Sequence, residues 1–159
     1  MMLLAVTVSA QSTFTSTLKA KPKKGATLYG TVECNGKPLA GVAVSDGYQI
    51  VLTNKKGQYN IVSEKKNGSV FITIPRGYEA MTEGSDVVPQ FWAELTADAT
   101  TAERHDFALR AVDNDRHVIV AAADIHIANH HNDLGNFRDV FVPQLKTEIE
   151  QYRKAGIPV

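Results

Sequence analysis

The chain has 159 residues, 43% of them hydrophobic and 21% charged, with 17 basic and 17 acidic side chains. That apolar fraction supports a packed core and excludes an intrinsically disordered chain, and the length suits one domain or two small ones. Zero formal net charge excludes the basic excess of a nucleic-acid binder, and the single cysteine, Cys34, excludes an intrachain disulfide.

The first residues, MMLLAVTVSAQS, hold a short apolar run from Leu3 to Val8, then Ser9 and Ala10 before Gln11. An apolar core followed by small residues looks like the end of a secretory signal, and the run is too short to span a bilayer. Residues 1–11 are therefore expected to be a signal-peptide remnant of an exported protein; an ordinary N-terminal strand is the plainer alternative. Residues 12–27, rich in Ser, Thr, Lys and Pro, read as a linker. Its cluster Lys19-Ala-Lys-Pro-Lys-Lys24 is expected to be solvated, with contact to an acidic surface as the functional alternative.

From Leu28 short β-type runs recur, separated by turn residues: TLYGTVEC then NGKP, GVAVS then DG, YQIVLTN then KKG, QYNIVS then EKKNG, SVFITI then PRG. Turn signals at this spacing predict an all-β sandwich or barrel. Two hairpins are expected, one turning through Lys55-Lys56-Gly57 and one through Lys66-Asn67-Gly68. Val70, Ile72 and Ile74 form one aliphatic face. Cys34 and Trp92 are expected in the core. In ERHDFALRAV, His105, Phe107 and Leu109 share one face, and Asp106, Ala108 and Arg110 the wet one.

Asp113-Asn114-Asp115 punctuates the chain. After it HVIVAAA, His117–Ala123, is continuously apolar, as in a strand covered on both faces. A polar loop follows, then a helical pattern with Leu134, Phe137, Phe141, Leu145, Ile149 and Tyr152 on one face. Asn132 or Asp133 is the expected N-cap, Pro143 should kink or restart the helix, and Gly156 and Pro158 should stop it. Ile157-Pro-Val159 reads as the start of a further strand. The order is thus antiparallel strands over 28–110, then an opening β-α unit over 111–159.

Asp124 and His126 stand at the carboxyl end of the apolar run. Side chains two apart on a strand project to the same side, so a carboxylate and an imidazole can converge on one cation. That end of an α/β sheet is where ligands bind, and the donor pair suits Mn, Fe or Zn. His130 and His131 are expected as exposed loop residues; contact with a substrate phosphate is the sharper alternative.

Residues 117–159 resemble the first strand and helix of calcineurin-like metallophosphoesterases, with Asp124-Ile-His126 matching that family's opening Asp-x-His motif. The preceding stretch, with NGKPLAGVAVSDG and TNKKGQYNI, resembles the β-sandwich found before some of these enzymes in secreted bacterial proteins, similar to the transthyretin-like modules attached to carboxypeptidases. The resemblance implies a mainly β chain: a transthyretin-like antiparallel sandwich followed by a truncated β-α unit of an α/β catalytic domain. It implies a phosphate-ester hydrolase using a divalent metal pair, Mn, Fe or Zn, with Asp124 and His126 as ligands to one metal. The later Gly-Asp and Gly-Asn-His motifs have no counterpart here, since Phe137 follows Gly135-Asn136 where a histidine would stand. At most one partial metal site is expected, the chain is expected to be an inactive N-terminal portion, and the sandwich should pack on the catalytic domain. Localisation would be periplasmic or at the bacterial cell surface. A rival expectation is a stand-alone sandwich binding a glycan or protein partner, with Tyr48, Tyr78 and Trp92 as an aromatic patch.

Overall fold

The computed structural model describes residues 12–83, 88–121, 123 and 131–159. It divides into two compact units, Met1–Val112 and Asp113–Val159.

Among the described residues the first unit holds twelve strands: β1 (Leu28–Cys34), β2 (Lys37–Pro38), β3 (Ala43–Ser45), β4 (Ile50–Leu52), β5 (Gln58–Ile61), β6 (Ser69–Ile72), β7 (Tyr78–Ala80), β8 (Thr82–Glu83), β9 (Val88–Pro89), β10 (Trp92–Glu94), β11 (Glu103–Arg104) and β12 (Phe107–Ala111). One layer centres on β1, with β11 and β12 along one edge, β5 and β2 along the other, and β7 beyond β12. The other layer runs β10-β6-β3-β4, and β8 pairs with β9 apart from both. Alternating apolar side chains of both layers meet in one core: Leu28 and Val32 of β1, Val44 of β3, Tyr59 and Ile61 of β5, Val70 and Ile72 of β6, Phe107 and Leu109 of β12. The fold is the mainly β sandwich that the alternation predicts.

Three details depart from the sequence reading. First, both turns expected to close hairpins exist, but each carries the chain from one layer to the other. β4 pairs with β3 and β5 with β1, so the Lys55–Gly57 turn joins two sheets; β6 pairs with β3 and β10, so the Lys66–Gly68 turn does the same. The true tight hairpin is β1–β2, through Asn35 and Gly36, both at positive φ. Two consecutive left-handed residues make a type I′ turn, whose twist matches that of the strands. Second, β1 pairs in parallel with β11 and β12, so this layer is mixed. Third, the edge between β11 and β12 is broken opposite Gly30. A Cβ on Gly30 would lie 1.7 Å from the His105 carbonyl oxygen, so only glycine admits that close approach.

Core positions also shift. Ala93, not Trp92, points into the sandwich; Trp92 is half-buried opposite Phe71. Cys34 is half-buried at the end of β1. Ile74 lies beyond β6 and is exposed. Residues 12–27 form no strand but are not a free tether. Ser12 and Ser16 are buried, and the Ser12 N–H donates to the Trp92 carbonyl at 2.6 Å.

In the second unit, His117–Ala121 make no strand ladder. One backbone bond, from the Val118 N–H to the Pro158 carbonyl at 2.9 Å, joins the two segments that the sequence reads as successive strands. Between them lie α1 (Asp133–Asn136), a π-helical turn over Phe137–Phe141, and α2 (Val142–Lys154). Pro143 explains the widened turn. Proline lacks the N–H that would close an α-turn and its ring crowds the carbonyl four residues back, so the ladder slips to Val142 N–H bonding the Phe137 carbonyl. Phe137 and Phe141 stack across that turn, centroids 5.4 Å apart. At the C-terminus Gly156 N–H bonds the Arg153 carbonyl and Ile157 N–H the Tyr152 carbonyl, the paired bonds of a Schellman stop. None of the three helical segments contributes a buried residue, and no described helix is long and apolar enough to cross a membrane.

Candidate functional site

Of the residues expected to hold metal or substrate, Asp124, His126 and His130 lie outside the described residues. His131 is described: exposed, with φ of 47°, followed by Asn132 at 62°. Histidine and asparagine are among the side chains that tolerate this left-handed region, and the pair turns the chain into α1. Asn132 takes the N-cap place, its carbonyl accepting the Asn136 N–H at 2.9 Å, without a side-chain capping bond.

The donor chemistry of Asp124 and His126, one carboxylate and one imidazole, fits a borderline divalent cation. The donor number does not complete a site, since closed sites take four ligands and open catalytic ones three. Among the described residues no group of three or more His, Cys, Asp or Glu side chains could hold a metal ion.

The sandwich carries three polar constellations that alternation did not reveal. The first surrounds Asp106, 3% exposed. Its Oδ1 accepts the Thr31 N–H at 2.8 Å and the Thr31 hydroxyl at 2.9 Å, standing in for the missing ladder partner of β1. Its Oδ2 accepts the Ser16 N–H at 3.1 Å and pairs with Arg104 Nε at 2.9 Å. The Arg104 guanidinium then donates to the Ser16 and Leu18 carbonyls. Buried Glu33 accepts the Ser16 hydroxyl and the Gly36 N–H. The outer face of β1 is thereby sealed by residues 12–18. The expectation that Asp106 lies on a wet face is corrected: charge is tolerated there because the Arg104 ion pair and three further donors meet it. Beneath this cluster the buried Tyr59 hydroxyl donates to the His105 carbonyl at 2.7 Å, and burial, with the nearby Asp106 charge, pushes its pKa well above the ordinary value.

The second constellation is Glu103. It accepts the Thr96 N–H at 2.9 Å, the Thr96 hydroxyl at 3.0 Å and the Ala97 N–H at 3.2 Å, and pairs with Lys65 at 2.9 Å. Burial raises its pKa, but these donors outweigh burial and bring the carboxyl down to about 2. His105 Nε2 lies 3.1 Å from Glu103 Oε1 but off the line of a hydrogen bond.

The third is the Asp46 loop. Burial pushes its carboxyl up, yet the Ser63 hydroxyl and the N–H groups of Gln49 and Tyr48 hold it below the usual range. The loop they fix presents Tyr48, 70% exposed, beside a cleft of about 370 Å³ that Gln49, Glu64 and Lys66 also line. Tyr78 and Trp92 are half-buried on β7 and β10.

A sequence model of the family described as the N terminal of Calcineurin-like phosphoesterase matches residues 26–112. No curated protein and no solved structure matches the chain.

Proposed function

The chain belongs to the family formed by the N-terminal domain of calcineurin-like phosphoesterases, and from that premise we propose that residues 26–112 serve as the accessory sandwich of an exported two-metal phosphoesterase whose catalytic part opens at Asp124-Ile-His126. The observation that carries the reading is the family match ending at Val112, followed twelve residues later by Asp-x-His. Asp124 and His126 would hold one divalent cation of a Mn, Fe or Zn pair. Such a pair, when bound, supplies a low-pKa water and offsets the charge developing on phosphorus. His130 and His131 would meet the substrate phosphate.

Two ligands do not assemble that chemistry, so the polypeptide of residues 1–159 is expected to hydrolyse no aryl phosphate and to bind Mn or Zn weakly. The test is calorimetric titration of the chain with Mn(II) and Zn(II), beside a p-nitrophenyl phosphate assay. Asp124→Asn and His126→Ala should each remove the binding, and the His130→Ala/His131→Ala pair should leave it. Robust turnover by this polypeptide, or metal binding that follows His130 and His131, would overturn the assignment. Export is tested separately by fusing residues 1–27 to a phosphatase reporter lacking its own signal and assaying the periplasm.

A second reading, a glycan-binding sandwich, is favoured by one observation, the exposed Tyr48 ring held by the Asp46 loop over a polar cleft. Quenching of tyrosine fluorescence by oligosaccharides, lost in Tyr48→Ala, would support it.

A further inference from the structure

The two layers of the sandwich leave an open flank. Among the described residues β4 pairs only with β3 and β5 only with β1, and between these two edge strands runs a groove of about 360 Å³. Its aliphatic side is made by Val51, Leu52 and Val62, its amide side by Asn54, Gln58 and Asn60. Leu52 is 65% exposed, Val62 63%, and Ile50, on the same face of β4 as Leu52, 73%. Exposed aliphatic groups collected in one place on a folded surface mark a site of association.

The charge at this groove has one sign. Lys23 and Lys24 are its charged lining residues among those described, and Lys55 and Lys56 form the turn that closes it between Asn54 and Gln58. With Lys19 and Lys21 this makes six exposed lysines, none within salt-bridge distance of a carboxylate among the described residues. The arrangement is built, not incidental. The Lys23 N–H donates to Asn60 Oδ1 at 2.8 Å and Gln58 Nε2 donates to the Lys19 carbonyl at 2.7 Å, so β5 straps the basic segment along its own edge. Asn54 Oδ1 accepts the N–H groups of Lys56 and Gln58 at 2.8 and 3.0 Å, fixing the other pair.

We propose that the β4–β5 groove is a docking site for an extended, acidic polypeptide segment carrying aliphatic side chains. An extended chain turns successive side chains to opposite sides, so one row sets leucine or valine against Leu52 and Val62 while the other sets carboxylates toward the lysines. Uncompensated lysines select a partner of negative sign and speed its arrival. A groove between two strand edges fits a single extended chain, whereas a flat bilayer needs a convex or planar contact face.

The test is fluorescence anisotropy of labelled Glu-Leu-Glu-Val-Glu-Leu-Glu titrated with the full chain. Saturable binding is expected, weakened at least ~tenfold by Lys23→Glu/Lys24→Glu and, independently, by Leu52→Asp. Raising salt from ~0.05 to ~0.5 M should weaken it as well. Lys37→Glu, a single charge reversal outside the groove lining, should leave binding unchanged, and all variants should keep the wild-type urea midpoint. No binding of this peptide, equal loss in Lys37→Glu, or adsorption to phosphatidylserine vesicles without peptide binding would overturn the proposal, the last in favour of a lipid surface.

Discussion

Replacing Glu103 by Gln removes a charge while keeping size, and the structure sets both the sign and the size of the effect. In the folded protein the carboxylate meets two backbone N–H groups, a hydroxyl and Lys65, and its pKa falls from 4.5 to about 2. A carboxyl depressed on folding stabilises the folded state wherever it is ionised in both states. The contribution is therefore complete above pH 4.5 and is lost as pH falls from there through about 2. At ~1.4 kcal/mol per pH unit between the two values the ceiling is ~3 kcal/mol. The side chain sits near solvent at the rim of the layer, and screening reduces this to ~1–2 kcal/mol. Trp92 is the only tryptophan and belongs to β10, so its fluorescence in urea reports on the sandwich alone. Glu103→Gln should lower stability by ~1–2 kcal/mol at pH 7, and the gap to wild type should close progressively below pH 4.5. A gap that stays constant from pH 7 to pH 2.5 would refute the electrostatic account and leave packing or amide geometry as the cause.

Gly30→Ala should cost more than ~3 kcal/mol by the same assay, or prevent folding, because the new methyl would meet a backbone carbonyl rather than a side chain that can move. Asp106→Ala should cost ~3 kcal/mol, since it strands the Thr31 N–H and leaves Arg104 without its carboxylate; a loss under ~0.5 kcal/mol would mean that the cluster is solvated. Pro143→Ala should let the turn at Phe137–Phe141 relax toward α geometry, seen as a change in the amide chemical shifts of Val142 and its neighbours.

What could be read from the sequence was local. The turns at Lys55–Gly57 and Lys66–Gly68, the restart of the helix at Pro143 and the stop at Gly156 each depend on two to four adjacent residues, and each stands where expected. The partners of the strands after those turns were not legible. An alternating run with an apolar face satisfies a hairpin and a crossing to the opposite layer equally well, and only the competition among all strands decides. Asp106 failed for a related reason. Its position in ERHDFALRAV assigns it to the wet side, but Thr31 and Ser16, 75 and 90 residues away in sequence, come to cover it. One signal could have pointed there: a glycine inside a strand marks a close backbone approach, and Gly30 lies within β1 directly before Thr31.

The same division runs through function. Asp-x-His stands out in the sequence because a carboxylate and an imidazole lie two residues apart, and Asp124 and His126 lie outside the described residues, so that expectation rests on the sequence alone. The β4–β5 groove draws its aliphatic wall from one stretch, its amide wall from another and its charge from a segment that composition assigns to a linker. Gln58 and Asn60 connect these parts: alternating polar residues on an edge strand, ordinary as sequence, become the anchors of a basic strap once their neighbours are known. The sandwich thus ends as a closed unit on its core side, with Val112 N–H capping the Gly77 carbonyl, while its open flank keeps apolar surface together with lysines that pair with no carboxylate among the described residues. A domain whose purpose were only to be stable would gain by covering the first and pairing the second, which is why that flank carries the argument for a partner.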